Sequence, residues 1–174
     1  MRPLDFSSTP EVVSGQGLQL YIEHQENCYI YFFLLDSSNN LTPLYPTAPG
    51  YYNYGFPRGP ILIPPGTQSF TFVPPPGEER FYLIGSAQRM FQLEKLTEEF
   101  SKNQQSSGQQ DLLLREIEAA ITTEDRQKKS IRAEDLEKVE VKVRTETGVA
   151  TRTLRLTEVS SKEFYGRELI INHR

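Results

Sequence analysis

Tyr29 to Leu35 is an unbroken apolar and aromatic run, YIYFFLL, that ends abruptly in Asp36-Ser37-Ser38-Asn39-Asn40. A shorter run follows and closes on Pro43-Leu44-Tyr45-Pro46. The pattern predicts a strand, a polar hairpin turn and a return strand stopped by proline. Successive side chains of a strand point to opposite faces, so Cys28, Ile30, Phe32 and Leu34 face one way and Tyr29, Tyr31, Phe33 and Leu35 the other. A strand in a simple sandwich has one polar face, and this one has none. Something must cover its second face.

Turn residues punctuate the rest of the first half. Leu18, Leu20 and Ile22 alternate with polar positions and share a face. Short strands are expected at Ile61–Ile63, Ser69–Val73 and Arg80–Ser86, the first two ended by Pro64-Pro65-Gly66 and Pro74-Pro75-Pro76-Gly77. Residues 46–60 are too rich in Pro, Gly and Asn for regular structure and read as a long loop. Strands this closely spaced favour an antiparallel sandwich over βαβ units.

After residue 90 the period changes. Met90, Leu93, Leu96 and Phe100 recur at helical steps, a polar linker spans 101–110, and a second helix carries Leu113, Leu114, Ile117 and Ile121, with Asp111 placed to cap it. These two apolar stripes are the surface available to cover the open strand face, so residues 90–121 are expected to pack on the sheet. Residues 122–138 read as a short helix or a poorly ordered stretch. Val139, Val141 and Val143, a turn at Thr147-Gly148, and Leu154 and Leu156 predict a half-exposed hairpin. Glu168–Asn172 is the last strand candidate. The expected fold is therefore mainly β: an antiparallel β-sandwich, Ig-like in general architecture, with two amphipathic helices and a C-terminal β-hairpin packed on it. The whole of 1–174 is read as a single domain, with a sandwich core over 11–90 and a helical and hairpin extension over 91–174.

Charge narrows the partners. With 19 basic and 23 acidic residues the net charge is -4, which argues against an electrostatic grip on nucleic acid. The densest basic run, Arg126-Gln127-Lys128-Lys129 with Arg132, is bounded by Glu124, Asp125 and Glu134 and reads as a solvated surface. No apolar run approaches the roughly 20 residues that span a bilayer, and MRPLDFSSTP lacks the apolar segment of a signal peptide. The protein is then cytoplasmic, or periplasmic or otherwise extracytoplasmic if a signal has been removed.

Candidate chemistry is sparse. A lone cysteine excludes an internal disulfide framework. His24 and Cys28, four apart on one strand, would stand about 13 Å from each other at roughly 3.3 Å per residue, too far for a dyad. Cys28 reads as a small buried apolar residue. His173 has no ligand partners nearby in sequence, so neither a metal site nor a cofactor is implied. Glu78 and Glu79 follow Pro76-Gly77 and are placed in an exposed turn, unsuited to acid–base work. There is no nucleophile elbow, and Gly15-Gln16-Gly17 is too short to cradle a phosphate. Pro74-Pro75-Pro76 is better explained as a strand-ending turn than as a polyproline ligand. An enzyme would need a cluster assembled from distant segments, which a sequence does not display.

The order of elements over 15–90 resembles a bacterial family, the domain of unknown function numbered forty-three eighty-four. The resemblance rests on YIYFFLLDSSNN, a Leu-Phe-Pro-like turn that is here Leu44-Tyr45-Pro46, a Pro/Gly/Asn loop, a short strand into proline at Ile63-Pro64, and a Pro-Gly-Glu-Glu-Arg turn into FYLIGS. It covers under half of the chain and supplies no catalytic or binding residues. It implies a non-enzymatic accessory or protein-interaction module of the cell envelope, because such domains accompany exported proteins, caspase-like peptidases or protein kinases. None of those catalytic modules is visible in this chain. For recognition the best candidates are Tyr45, Tyr51, Tyr52, Asn53, Tyr54, Phe56 and Arg58, an aromatic loop suited to a protein partner or, alternatively, to a small ligand or glycan. The competing expectation is that these rings simply close one end of the sandwich. Solvent access of Tyr51, Tyr52 and Tyr54 separates the two.

Overall fold

The computed structural model describes residues 4, 8–23, 27–55, 59–103, 106–125, 132–145, 148–160 and 164–174, with 123–125, 132–145 and 148–160 described through their backbone. In chain order the strands are β1 (Glu11–Val12), β2 (Gly17–Leu18), β3 (Leu20–Ile22), β4 (Tyr29–Leu35), β5 (Leu41–Tyr45), β6 (Ile61–Ile63), β7 (Phe70–Thr71) and β8 (Gly77–Ser86). Helices α1 (Phe91–Lys102) and α2 (Ser107–Asp125) follow, then β9 (Arg132–Thr145), β10 (Gly148–Ser160) and β11 (Phe164–His173). The protein is mainly β and sandwich-like. Its main sheet has the order β1-β11-β8-β4-β5, antiparallel except for the β1–β11 pair.

Strand β4 forms where the apolar run predicts it, and the turn after it is made by Asp36. Its Oδ1 accepts from the backbone N–H groups of Ser38 and Asn40, while Asn39 takes a left-handed φ of 63°. Both faces of β4 are covered. Tyr31, Phe33 and Leu35 join Tyr82 and Ile84 of β8 and meet Leu93, Leu96 and Phe100 of α1 and Leu113, Ile117 and Ile121 of α2. Ile30 and Phe32 join Phe81, Leu169 and Ile171 on the opposite face, beneath Ile61, Ile63 and Phe72. That second layer consists of two small antiparallel pairs, β2–β7 and β3–β6, with Leu18, Leu20 and Ile22 turned inward.

The helices are also tied to the sheet by hydrogen bonds. Tyr31 Oη donates to Glu94 Oε1 at 2.8 Å and accepts from Met90 N–H at 3.1 Å. Arg89 grips the same carboxylate through Nε and Nη2. Helix α2 lies so close over β11 that a Cβ built on Gly166 would stand 2.9 Å from the Phe164 ring and 3.1 Å from Ile121 Cγ1.

Several expected boundaries shift. Helix α1 runs to Lys102 and α2 starts at Ser107, so the linker is shorter than 101–110 and Asp111 lies inside the helix, not at its cap. Residues 132–138 are strand, not helix or disorder: β9 extends the hairpin back to Arg132 because β10 pairs along its length as far as Ser160. The expected turn residue Thr147 and the anchor Ile131 lie outside the described residues, as do the side chains that would dock the hairpin. Strand β7 contracts to Phe70–Thr71, whereas β8 starts three residues early, at Gly77.

Candidate functional site

The long loop carries a short 3-10 turn, Tyr51–Tyr54, between Gly50 (φ 67°) and Gly55 (φ 105°). Both glycines adopt left-handed backbone that a side chain resists, which suits them to bracket so tight a turn. Its tyrosines have different fates. Tyr52 is buried, and its hydroxyl accepts from Ile30 N–H at 2.8 Å and donates to Ile30 C=O at 2.5 Å. Strand β5 ends opposite Phe32, so at Ile30 the hydroxyl takes the place of a neighbouring strand. Tyr51 is half-buried and bonds Tyr45 hydroxyl to hydroxyl at 2.9 Å. Edge-on ring contacts join Tyr29 to Tyr52 (5.0 Å), Tyr51 to Tyr52 (5.1 Å), Tyr45 to Tyr51 (5.4 Å) and Tyr31 to Tyr52 (5.6 Å). Burial raises the phenol pKa of Tyr31, Tyr45 and Tyr52 well above the ordinary value.

Tyr54, by contrast, is 95% exposed, and Asn53 beside it is exposed too. Of the loop residues proposed from sequence, the structure therefore brings Tyr45, Tyr51 and Tyr52 into one rigid cluster and leaves Asn53 and Tyr54 facing solvent. Phe56 and Arg58 lie outside the described residues, as does His24. Cys28 is half-buried, not fully so, and burial pushes its thiol pKa up. A cleft of about 120 Å3 lies elsewhere, among Leu34, Asp36, Phe70, Phe72, Glu79 and Phe81.

Glu79 corrects the sequence reading. It is not in an exposed turn but in β8, 5% exposed. Its Oε1 stands 3.3 Å from Nδ1 of His173, whose side chain is fully buried at the end of β11. On the other side of the ring, His173 Nε2 is 2.9 Å from Oγ of Ser14, an exposed residue. Period two was the missed signal: Glu79 is in phase with Phe81, and His173 with Leu169 and Ile171, all inward-facing. Ser14 carries no such mark. It arrives through β1, whose parallel pairing with β11 no local pattern announces.

Fold and site together define a mainly β, sandwich-like module stiffened by helices on one face and bearing a tyrosine-built corner. Residues 11–89 match the model of the family described as Domain of unknown function (DUF4384). No curated protein and no solved structure matches the chain. Among the described residues no helix is long and apolar enough to cross a membrane.

Proposed function

We propose that the tyrosine corner is a recognition surface, without chemistry of its own, by which an accessory module of the bacterial cell envelope engages a protein partner. The observation that carries the reading is the 95% exposure of Tyr54 on a turn whose neighbouring rings are locked into the core. An exposed tyrosine on a pre-organised support offers large amphipathic contact area at small entropic cost. The envelope setting rests on the company that domains of this family keep. A protein partner is favoured over a glycan because Tyr51 and Tyr52 are engaged with each other and Tyr52 is buried, which leaves Tyr54 as the exposed ring of the turn. A sugar site would need several convergent groups in a concavity.

A photo-reactive residue in place of Tyr54 should trap one discrete cross-linked species in envelope extracts. The isolated partner should then bind Tyr54→Ala roughly tenfold or more weakly than the parent chain, at unchanged Tm. Equal binding by the two chains would sink the reading.

A further inference from the structure

We propose that Ser14, His173 and Glu79 form a second site, a catalytic one: a serine nucleophile that takes a short apolar acyl group from an activated ester and passes it to water. The argument starts with the hydrogen-bond order. A carboxylate only accepts, so Glu79 fixes the imidazole proton on Nδ1 across the 3.3 Å contact. Nε2 of the neutral ring is then an acceptor, and the partner it faces at 2.9 Å is the Ser14 hydroxyl. Acid, base and nucleophile thus run outward from the interior, Glu79 and His173 buried and Ser14 exposed. This is the arrangement that activates a serine on many unrelated folds, recognised by geometry and role and not by sequence order. The Phe72 ring, 5.6 Å from the imidazole, holds it from a further side.

The surroundings select the substrate. Val13 and Val73 are 52% and 64% exposed, and Gly15 N–H bonds Phe72 C=O at 2.8 Å, which brings the two valines' segments together beside Ser14. A Cβ on Gly15 would meet nothing within 4 Å, so the approach is open. These flanks suit a short apolar acyl chain. The main-chain donors of the turn are already spent: Val13 N–H on Gln16 Oε1, Ser14 N–H on Arg174 C=O, Gly15 N–H on Phe72 C=O and Gln16 N–H on Val13 C=O. Lacking a backbone oxyanion hole costs on the order of 100- to 1000-fold in rate, which leaves esters with good leaving groups as the accessible class and excludes amides.

In the reaction, Ser14 Oγ bonds to the carbonyl carbon as its proton moves to His173 Nε2. The bond to the leaving alkoxide breaks, and Nε2 returns the proton to it. Water then attacks the acyl-serine, giving a proton to Nε2, and Ser14 leaves with that proton, restored. Glu79 acts through the imidazole as a positioning residue.

The test uses the full chain with a fluorophosphonate probe and p-nitrophenyl acetate. Ser14 should gain the phosphonate, with loss of fluoride, and ester hydrolysis should fall to the buffer rate in Ser14→Ala, whose exposed position spares the fold. Glu79→Gln should slow labelling roughly tenfold or more while the circular dichroism spectrum stays unchanged. The proposal is overturned if Ser14 stays unlabelled, if the probe settles on a tyrosine instead, or if Ser14→Ala hydrolyses the ester as fast as the parent chain. A contact that merely staples β1 to β11 predicts the first and the last of those results.

Discussion

At the scale of single residues, Tyr52 shows how one hydroxyl can stand in for a strand. It serves both the N–H and the C=O of Ile30, so Tyr52→Phe would leave two backbone groups orphaned in the core. That should lower stability by about 1–3 kcal/mol, read by urea unfolding. The pH dependence has a fixed sign. Tyr31, Tyr45 and Tyr52 all titrate higher in the folded chain than their ordinary value of 10.0, and burial, with help from Glu168 and Glu118, pushes Tyr82 up to about 12. Their contribution is fully present below pH 10; above it the unfolded chain sheds protons first, so stability falls as pH rises. The gap between parent and Tyr52→Phe should therefore narrow above about pH 10. A gap that stays constant to the alkaline limit contradicts the burial of this phenol. The aromatic loop was visible in the sequence, but which ring faces in and which out was not. A non-periodic loop has no phase from which to read direction.

At the scale of elements, the two-sided strand was legible because seven apolar residues leave β4 no solvent face. The helices were legible as a 3.6-residue period, and together they fixed where α1 and α2 dock. Leu93, fully buried between α1 and the sheet, makes this testable. Leu93→Ala should cost about 2–5 kcal/mol in equilibrium unfolding, as for a filled core site left with a cavity. A loss under about 1 kcal/mol would mean the helix packs loosely on the sheet. The first half of β9, Arg132 to Lys138, carries no such signal, for an equally physical reason. Arg132-Ala133-Glu134-Asp135 offers neither β-branched side chains nor alternation, and its strand state comes from pairing with Val159 and Ser160 far along the chain. Glu79 is misplaced by a boundary: β8 runs from Gly77, three residues before the Arg80 start that the pattern predicts.

At the scale of the molecule, the segment that matches the family model holds only part of the main sheet and of the core. Residues 11–89 contain β1, β4, β5 and β8 but neither β11, which joins β1 to β8, nor the helices that cover Tyr31, Phe33, Tyr82 and Ile84. Expressed alone, this segment should show no cooperative thermal transition, while the full chain melts in one step. A sharp melt of the fragment would refute the dependence. The extension after residue 90, beyond what the resemblance describes, thus completes the sheet that the family segment begins.

The parallel seam between β1 and β11 has a mechanical meaning. Asn172 N–H bonds Pro10 C=O, Arg174 N–H bonds Val12 C=O and Ser14 N–H bonds Arg174 C=O. Since the two strands run the same way, tension that draws residue 10 backward and residue 174 forward slides one along the other. It loads these bonds together in shear instead of peeling them one at a time. Ser14 and His173 lie on opposite sides of that seam, so stretching the molecule by this route would separate them before the helix-covered core is disturbed.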